Sequence, residues 1–420
     1  MILAFEVENF RSIQQPVRLE MRPAKLKGTQ STDSNIFDIT ETNIAGLKTA
    51  VLYGANASGK SNIIKAMEYF VFFIQNSHQY FQNQHISVQP FKLFDFTLNQ
   101  PTRFSLEFVL KKNRYDYTFS ADKNKIHEER LVSYTSKKPT ELYYRKAGEP
   151  INFGSAFKGE KKALESQLLD NQLLLSKGAV NKFEPLMEIH KFFINTLNVF
   201  NINFRDMAFT LMESYKSEAF KTKVINFLKI ADTGIEDIII KKEIPNSFNV
   251  SPSIPENIKN DIIERNSYKA SVVHYSCAFE GDTNQKKISW LLEEESEGTQ
   301  KLFALAGPII DILDKGSILV FDEINNSLHP LITRFLVEMF NDPDTNPKGA
   351  QLIFSTHDSS LLDTELFRRD QIWLVEKNVC GYTELKSLCQ FEVRKDVPLE
   401  KWYLSGRFGA LPIIANFFDE

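Results

Sequence analysis

Two periodicities take turns along the chain. Residues 2–10 alternate apolar and polar side chains, a strand pattern that ends at Asn9-Phe10-Arg11-Ser12. Residues 22–48, rich in Thr, Ser, Asn and Lys, read as a loop with one short strand at most. Thr49-Ala50-Val51-Leu52-Tyr53 is an apolar run of strand length, and Ile63, Ile64, Met67, Phe70 and Ile74 then recur at helical spacing over 61–76. From 103 to 154 the period becomes two. Phe104, Leu106, Phe108 and Leu110 alternate with Ser105, Glu107 and Val109, residues 111–114 make a turn, and Tyr115, Tyr117 and Phe119 resume. This predicts an antiparallel hairpin, with more strands at 126–134 and 141–147 and one face of the sheet in solvent.

Residues 156–231 turn helical through Leu164, Leu168, Leu173 and Leu174, then Phe183 to Phe200, then Phe220, Val224, Phe227 and Leu228. No heptad register persists, so the pattern predicts a helical subdomain and not a coiled coil. Residues 246–260 are a Pro/Ser/Asn-rich connection. Strands are expected again at 269–279 and 286–292, then a helix at 299–313, a strand at 317–321, a helix at 330–340, and strands at 351–355, 371–376 and 382–388. The resulting fold class is α/β: a mixed sheet with flanking helices, an antiparallel β subdomain and a helical insertion. The expected organisation is a first half-head at 1–154, the insertion at 155–268, a second half-head at 269–378 and a tail at 379–420.

Composition narrows the function classes without naming a chemistry. Fifty Lys and Arg against 54 Asp and Glu leave a net charge of −4, which argues against a surface built wholly to grip nucleic acid. Cys277, Cys380 and Cys389 make neither a disulfide framework nor a zinc motif, which points to a reducing, cytoplasmic setting. No apolar run approaches the roughly 18 residues of a membrane span, and the N-terminus has no signal-peptide pattern. No membrane association is expected.

The chemistry is concentrated where apolar strands end. Gly54-Ala55-Asn56-Ala57-Ser58-Gly59-Lys60-Ser61 fits G-x-x-x-x-G-K-[ST], a loop whose small residues let backbone N–H groups wrap phosphates. Gly54, Asn56, Ser58 and Gly59 would form the cradle. Lys60 would bring a positive charge, Ser61 a hydroxyl for Mg²⁺, and the following helix its positive end. Residues 317–321 lead into Asp322-Glu323, where Asp322 would hold Mg²⁺ and Glu323 would polarise the attacking water. The next apolar strand ends in Ser355-Thr356-His357-Asp358, where His357 can sense a γ-phosphate. Ser296-Glu297-Gly298-Thr299-Gln300 opens a helical stretch 26 residues before Asp322. By itself it is an ordinary helix cap.

The order of these parts resembles the ABC-type ATPase superfamily, over residues 1–154 and 270–378. That resemblance implies ATP and Mg²⁺ as ligands. It also implies a homodimer in which Ser296 and Gly298 of one copy close on the nucleotide held by the other. Ser296-Glu-Gly-Thr-Gln300 departs from the transporter signature. Leu328-His329-Pro330 and Asn9-Phe10-Arg11-Ser12 look like the RecF/SMC-like and overcoming-lysogenisation-type branch, which makes Arg11 a candidate for the bound nucleotide. Gln89 stands about where that superfamily has a Mg²⁺-contacting glutamine. Arg368-Arg-Asp-Gln-Ile-Trp373, Phe391 to Asp396 and Tyr403-Leu-Ser-Gly406-Arg407-Phe408-Gly409 are similar to the RloA/AbiLi-type anti-phage ATPases of the AAA_15/AAA_21 group.

Such proteins act with a separately encoded, nuclease-like effector and a nucleic-acid or phage-derived trigger. Only 42 residues follow position 378, against roughly 100–150 for a domain, so any nuclease is expected on another polypeptide. The physical reading of the tail is limited to tight turns at Gly406 and Gly409, with Arg407 free to reach an anion. The alternative is a RecF/SMC-like repair ATPase binding duplex DNA. It draws on residues 101–150, with 11 Lys and Arg against 7 Asp and Glu. A transporter nucleotide-binding subunit is disfavoured by the signature.

Overall fold

Thr49–Tyr53 is buried along its whole length because strands pair with both of its edges. The sheet around it runs Leu197–Phe200, Ile318–Phe321, Gln351–Ser355, Thr49–Tyr53, Ile372–Lys377 and Thr383–Ser387. The first five are parallel and the last is antiparallel. Parallel strands covered on both faces read as continuous apolar runs, which is why Ile318–Phe321 and Leu352–Phe354 show no alternation. In register, Phe321 faces Phe354 and Phe354 faces Val51. Three neighbouring strands therefore end together, and the loops that leave their C-terminal ends share one edge of the sheet.

This computed structural model describes residues 1–26, 30–40, 42–135, 138–200, 206–243, 256–276, 286–326, 328–392 and 398–412. Cys277, most of the 246–260 connection, Ser327 and Arg394-Lys395-Asp396 lie outside the described residues.

The period-two region forms an antiparallel sheet of seven strands, in the order Asn152–Phe153, Thr140–Lys146, Ile126–Tyr134, Asn113–Ala121, Thr102–Leu110, Ile2–Glu8 and Val17–Glu20. Its inner face packs on the helix Lys60–Asn76 through Phe70, whose ring lies 5.8 Å from Phe5, 5.6 Å from Phe119 and 6.2 Å from Phe104. Edge-to-face and offset pairs of this kind add specificity to burial. The outer face carries ions: Arg18 and Arg22 both pair with Glu107. The helix Leu174–Val180 starts on the buried carboxylate of Glu129. That carboxylate accepts from the N–H groups of Leu174 and Leu175 and from the hydroxyls of Tyr117 and Tyr143.

Contacts divide the chain into two compact units. One comprises Met1–Phe200, Gly316–Asn325 and Arg334–Glu420; the other comprises Asn201–Lys315 and Asn326–Thr333. Within the second, a three-stranded antiparallel sheet, Asp237–Lys242, Tyr268–Ser276 and Lys286–Leu291, accompanies the helices Ala208–Lys216, Glu218–Ile230, Glu256–Arg265 and Glu297–Lys315. Gly307 is needed there because a Cβ would sit 2.4 Å from Thr210 Oγ1, where two helices meet.

The units do not follow the expected boundaries at 154/155 and 268/269. Phe183–Phe200, expected to be helical, contains the helix Leu186–Asn195 and then the strand Leu197–Phe200. Ile189, Phe193 and Leu197 keep a spacing of four, but pairing with Ile318–Phe321 wins at the end of the run. Two short strands, Ile36–Ile39 and Ile44–Leu47, form a hairpin in the segment expected to hold at most one. The connection at 246–260 runs into the helix Glu256–Arg265. Among the described residues no helix is long and apolar enough to cross a membrane.

Candidate nucleotide site

The loop after Tyr53 is shaped by positions that only small residues can hold. A Cβ on Gly54 would lie 2.2 Å from the Val375 carbonyl, and Gly59 has φ +114° with its Cβ position 2.0 Å from Thr383 Oγ1. Ala57 also adopts the left-handed region, at φ +63°. A hydroxyl relay fixes the loop from outside. Asn62 Nδ2 donates to Ser12 Oγ (2.7 Å), Ser12 shares a bond with Thr383 Oγ1 (2.7 Å), and Thr383 donates to the Ser58 carbonyl (2.9 Å). Each hydroxyl has one proton, so the donors run from Asn62 through Ser12 and Thr383 to Ser58. Ser12 is thus the member of the N-terminal motif that reaches the loop.

Lys60 is buried and donates from Nζ to the carbonyls of Gly54 (2.7 Å) and Ala55 (3.1 Å). Burial pulls its pKa below the ordinary lysine value, while Glu323 and Asp322 act to raise it. The loop lysine and the Asp-Glu pair are therefore electrostatic neighbours. Ser355 Oγ donates to Asp322 Oδ1 at 2.6 Å and accepts the Glu323 N–H at 2.8 Å. That second bond holds Glu323 at φ +52°, a backbone conformation costly for a residue with a side chain and recurrent at functional sites. Thr356 Oγ1 donates to Asn325 Oδ1 (2.9 Å), and Asn325 Nδ2 lies 3.2 Å from His357 Nε2. Asn325 so orients the exposed imidazole.

Gly54, Asn56 and Ser58 line one cavity with Glu323 and His357, of about 1060 Å³. The Ser58 hydroxyl is buried there without a partner, so the cradle holds an unused hydrogen-bonding group. This fits an anion wrapped by the loop. Ser61 follows Lys60 on the helix Lys60–Asn76; its hydroxyl and the Asp322 carboxylate are oxygen donors of the kind that would suit Mg²⁺.

Arg11 and Gln89 lie elsewhere. The Arg11 N–H donates to the Gln89 carbonyl (2.8 Å), and both line a smaller cavity of about 270 Å³ with Lys65 and Tyr69. Neither residue lines the cavity of the glycine loop. Arg11 Nε is buried without a partner.

In the second unit Ser296 caps the helix Glu297–Lys315. Its Oγ accepts the Thr299 N–H at 3.2 Å, and Gly298 lies in the first turn. Gln300 Nε2 donates to the carbonyls of Glu293 (3.0 Å) and Glu295 (2.8 Å), and Glu295 Oε1 accepts from His274 (2.9 Å) and Trp290 (2.8 Å).

Ser355, Asn325 and Thr383 escaped the sequence reading. Ser355 and Asn325 flank residues already singled out, but nothing in their identity announces a clamp. Thr383 touches Ser12 across 371 positions. The tail also differs from expectation: Arg407 is stacked over the Trp402 ring at 4.1 Å and not free. A cation over an aromatic face is held by the ring quadrupole.

Residues 50–363 match the family model AAA_21, described as "AAA domain, putative AbiEii toxin, Type IV TA system". Among solved structures the chain is similar to the Smc head domain with an extended coiled coil bound to the C-terminal domain of ScpA, from Pyrococcus furiosus. That match has 13% identity and a TM-score of 0.39, over 93% of this chain and 97% of that one. It is similar also to CbiO1 from Clostridium perfringens, part of the ABC transporter complex CbiONQ, with 11% identity and a TM-score of 0.29, over 93% and 90%. No curated protein matches. With three quarters of its length inside the family model, this chain belongs to the AAA_21 family of P-loop ATPase domains.

Proposed function

We propose that the protein binds ATP and hydrolyses it to ADP and phosphate, as an ABC-type switch that pairs with a second copy across the nucleotide. The observation that carries this reading is the Ser355 hydroxyl. It joins Asp322 to the backbone of Glu323 within the electrostatic reach of Lys60. Two adjacent carboxylates thereby receive different tasks. Asp322, bonded and buried, is fixed for a metal. Glu323 is turned by its left-handed backbone to line the cavity, where it can take the proton of an attacking water.

Lys60 would leave the carbonyls of Gly54 and Ala55 for the β- and γ-phosphates, and His357 would donate to the γ-phosphate. Ser61 and Asp322 would hold Mg²⁺, whereas Gln89 and Arg11 line a separate cavity and are given no contact with it. Mg²⁺, when bound, neutralises charge building on the phosphate oxygens. Ser296 and Gly298 of a second copy would close the site with the positive end of the helix they cap.

The proposed setting is cytoplasmic anti-phage defence, with a separately encoded, nuclease-like effector and a nucleic-acid or phage-derived trigger. The resemblance of the tail to RloA/AbiLi-type proteins and the toxin–antitoxin description of the family support that setting. The duplex-DNA alternative gains less from the basic stretch at 101–150 than its charge count suggests. There Lys111, Arg114, Arg130, Arg145 and Lys146 are all paired with carboxylates. Steady-state hydrolysis by the intact chain, with Mg²⁺ and with chelator, tests the reading. Phosphate release that needs Mg²⁺ and disappears in Lys60→Ala supports it; release indifferent to both sinks it.

A further inference from the structure

The tail is built into the nucleotide cavity. Tyr403, Leu404, Gly406, Gly409 and Ala410 line the same space as Gly54–Ser58, Glu323 and His357. Three contacts tie this segment to three elements around the site. Ser359 Oγ donates to Glu400 Oε1 at 3.0 Å, two residues beyond His357. The buried Tyr403 ring lies 5.8 Å from Tyr53, the last residue before the glycine loop. The Ala410 N–H donates to Glu376 Oε2 at 3.2 Å, at the end of the strand flanking Thr49–Tyr53. The turn depends on glycine: Gly409 has φ +69°, and a Cβ there would meet Glu376 Oε2 at 2.5 Å. Tyr403 closes it by donating to the Ala410 carbonyl (3.2 Å).

We propose that residues 398–412 form a wall of the nucleotide cavity and report which nucleotide occupies it. A nucleoside triphosphate holds this wall in place through the His357–Ser359 turn, and the diphosphate lets it loosen. The inference rests on the ATP-binding reading above and adds regulation to the same site. A terminal phosphate that accepts from His357 restrains the turn carrying Ser359, and Ser359 passes that restraint to Glu400. Glu400 is a positioning residue, acting on the nucleotide through Ser359 and His357. Linkage makes the coupling reciprocal: if the triphosphate steadies the tail, a loosened tail weakens triphosphate binding by the same factor.

Amide hydrogen exchange on the full chain, with Mg²⁺ and either a non-hydrolysable ATP analogue or ADP, reads the coupling directly. Exchange across 399–412 should slow about tenfold more with the triphosphate than with ADP, within the usual range of site-to-site coupling. Glu400→Ala and Gly409→Val should each lower the preference for a fluorescent triphosphate over the diphosphate by about the same factor. Glu400→Gln, which still accepts from Ser359, should restore it. Protection of the glycine loop by nucleotide with no change at 399–412, or faster exchange there, overturns the proposal and leaves the ATP-binding reading standing. No protection at either segment overturns both.

Discussion

Glu323 owes its position to one hydroxyl. Its backbone sits at φ +52°, and the Ser355 hydroxyl that receives its N–H also fixes Asp322. Ser355→Ala should therefore lower kcat for ATP hydrolysis by about 10- to 100-fold, less than loss of the base itself. KM should change little, because the phosphate cradle is built from other residues. A rise in KM with kcat intact would assign Ser355 to binding instead. Glu323→Gln should abolish turnover while nucleotide still binds, which a filter-binding assay beside a phosphate-release assay resolves. The residues proposed to do the chemistry stand out in the sequence because each follows an apolar run: the glycine loop after Tyr53, Asp322 after Phe321, and His357 after Ser355. Ser355 as a clamp was not legible, since a serine ending a strand has the same identity whether or not it bridges two carboxylates.

At the scale of elements, the helix Leu174–Val180 is anchored by a charge that has no solvent. Glu129 is fully buried, and its carboxylate serves two helix N–H groups and two tyrosines, with Arg145 3.6 Å away. Glu129→Ala leaves Arg145 and both phenols without that acceptor. It should destabilise the fold by about 3–5 kcal/mol, measured by urea denaturation. A loss under about 1 kcal/mol would mean that water replaces the carboxylate. The period-two strands were readable from Phe104 to Phe119, but not their union with residues 2–8. The pairing of Phe5 with Leu106 joins segments a hundred positions apart, and no local pattern encodes it. The strand Leu197–Phe200 was hidden for a related reason: its spacing fits a helix, and only Ile318–Phe321 makes it a strand.

At the scale of the whole molecule, stability should depend on two histidines. His78 and His190 lie edge to face with ring centres 6.2 Å apart, and burial depresses the pKa of both. The unfolded chain then takes up protons first as pH falls. Stability should be lost from about pH 6.5 downward, toward the depressed folded values. The urea midpoint should drop between pH 7 and pH 5.5, and by less in a His78→Gln, His190→Gln double variant. An equal drop in both proteins would assign the effect to other groups. Assembly is the larger question, because Ser296 and Gly298 are proposed to act on the nucleotide of a second copy. The most direct test is the mass in solution of Glu323→Gln, measured by light scattering with and without ATP and Mg²⁺. A dimer is expected only with ATP, lost again when Ser296→Arg is added; a monomer under every condition would contradict pairing across the nucleotide.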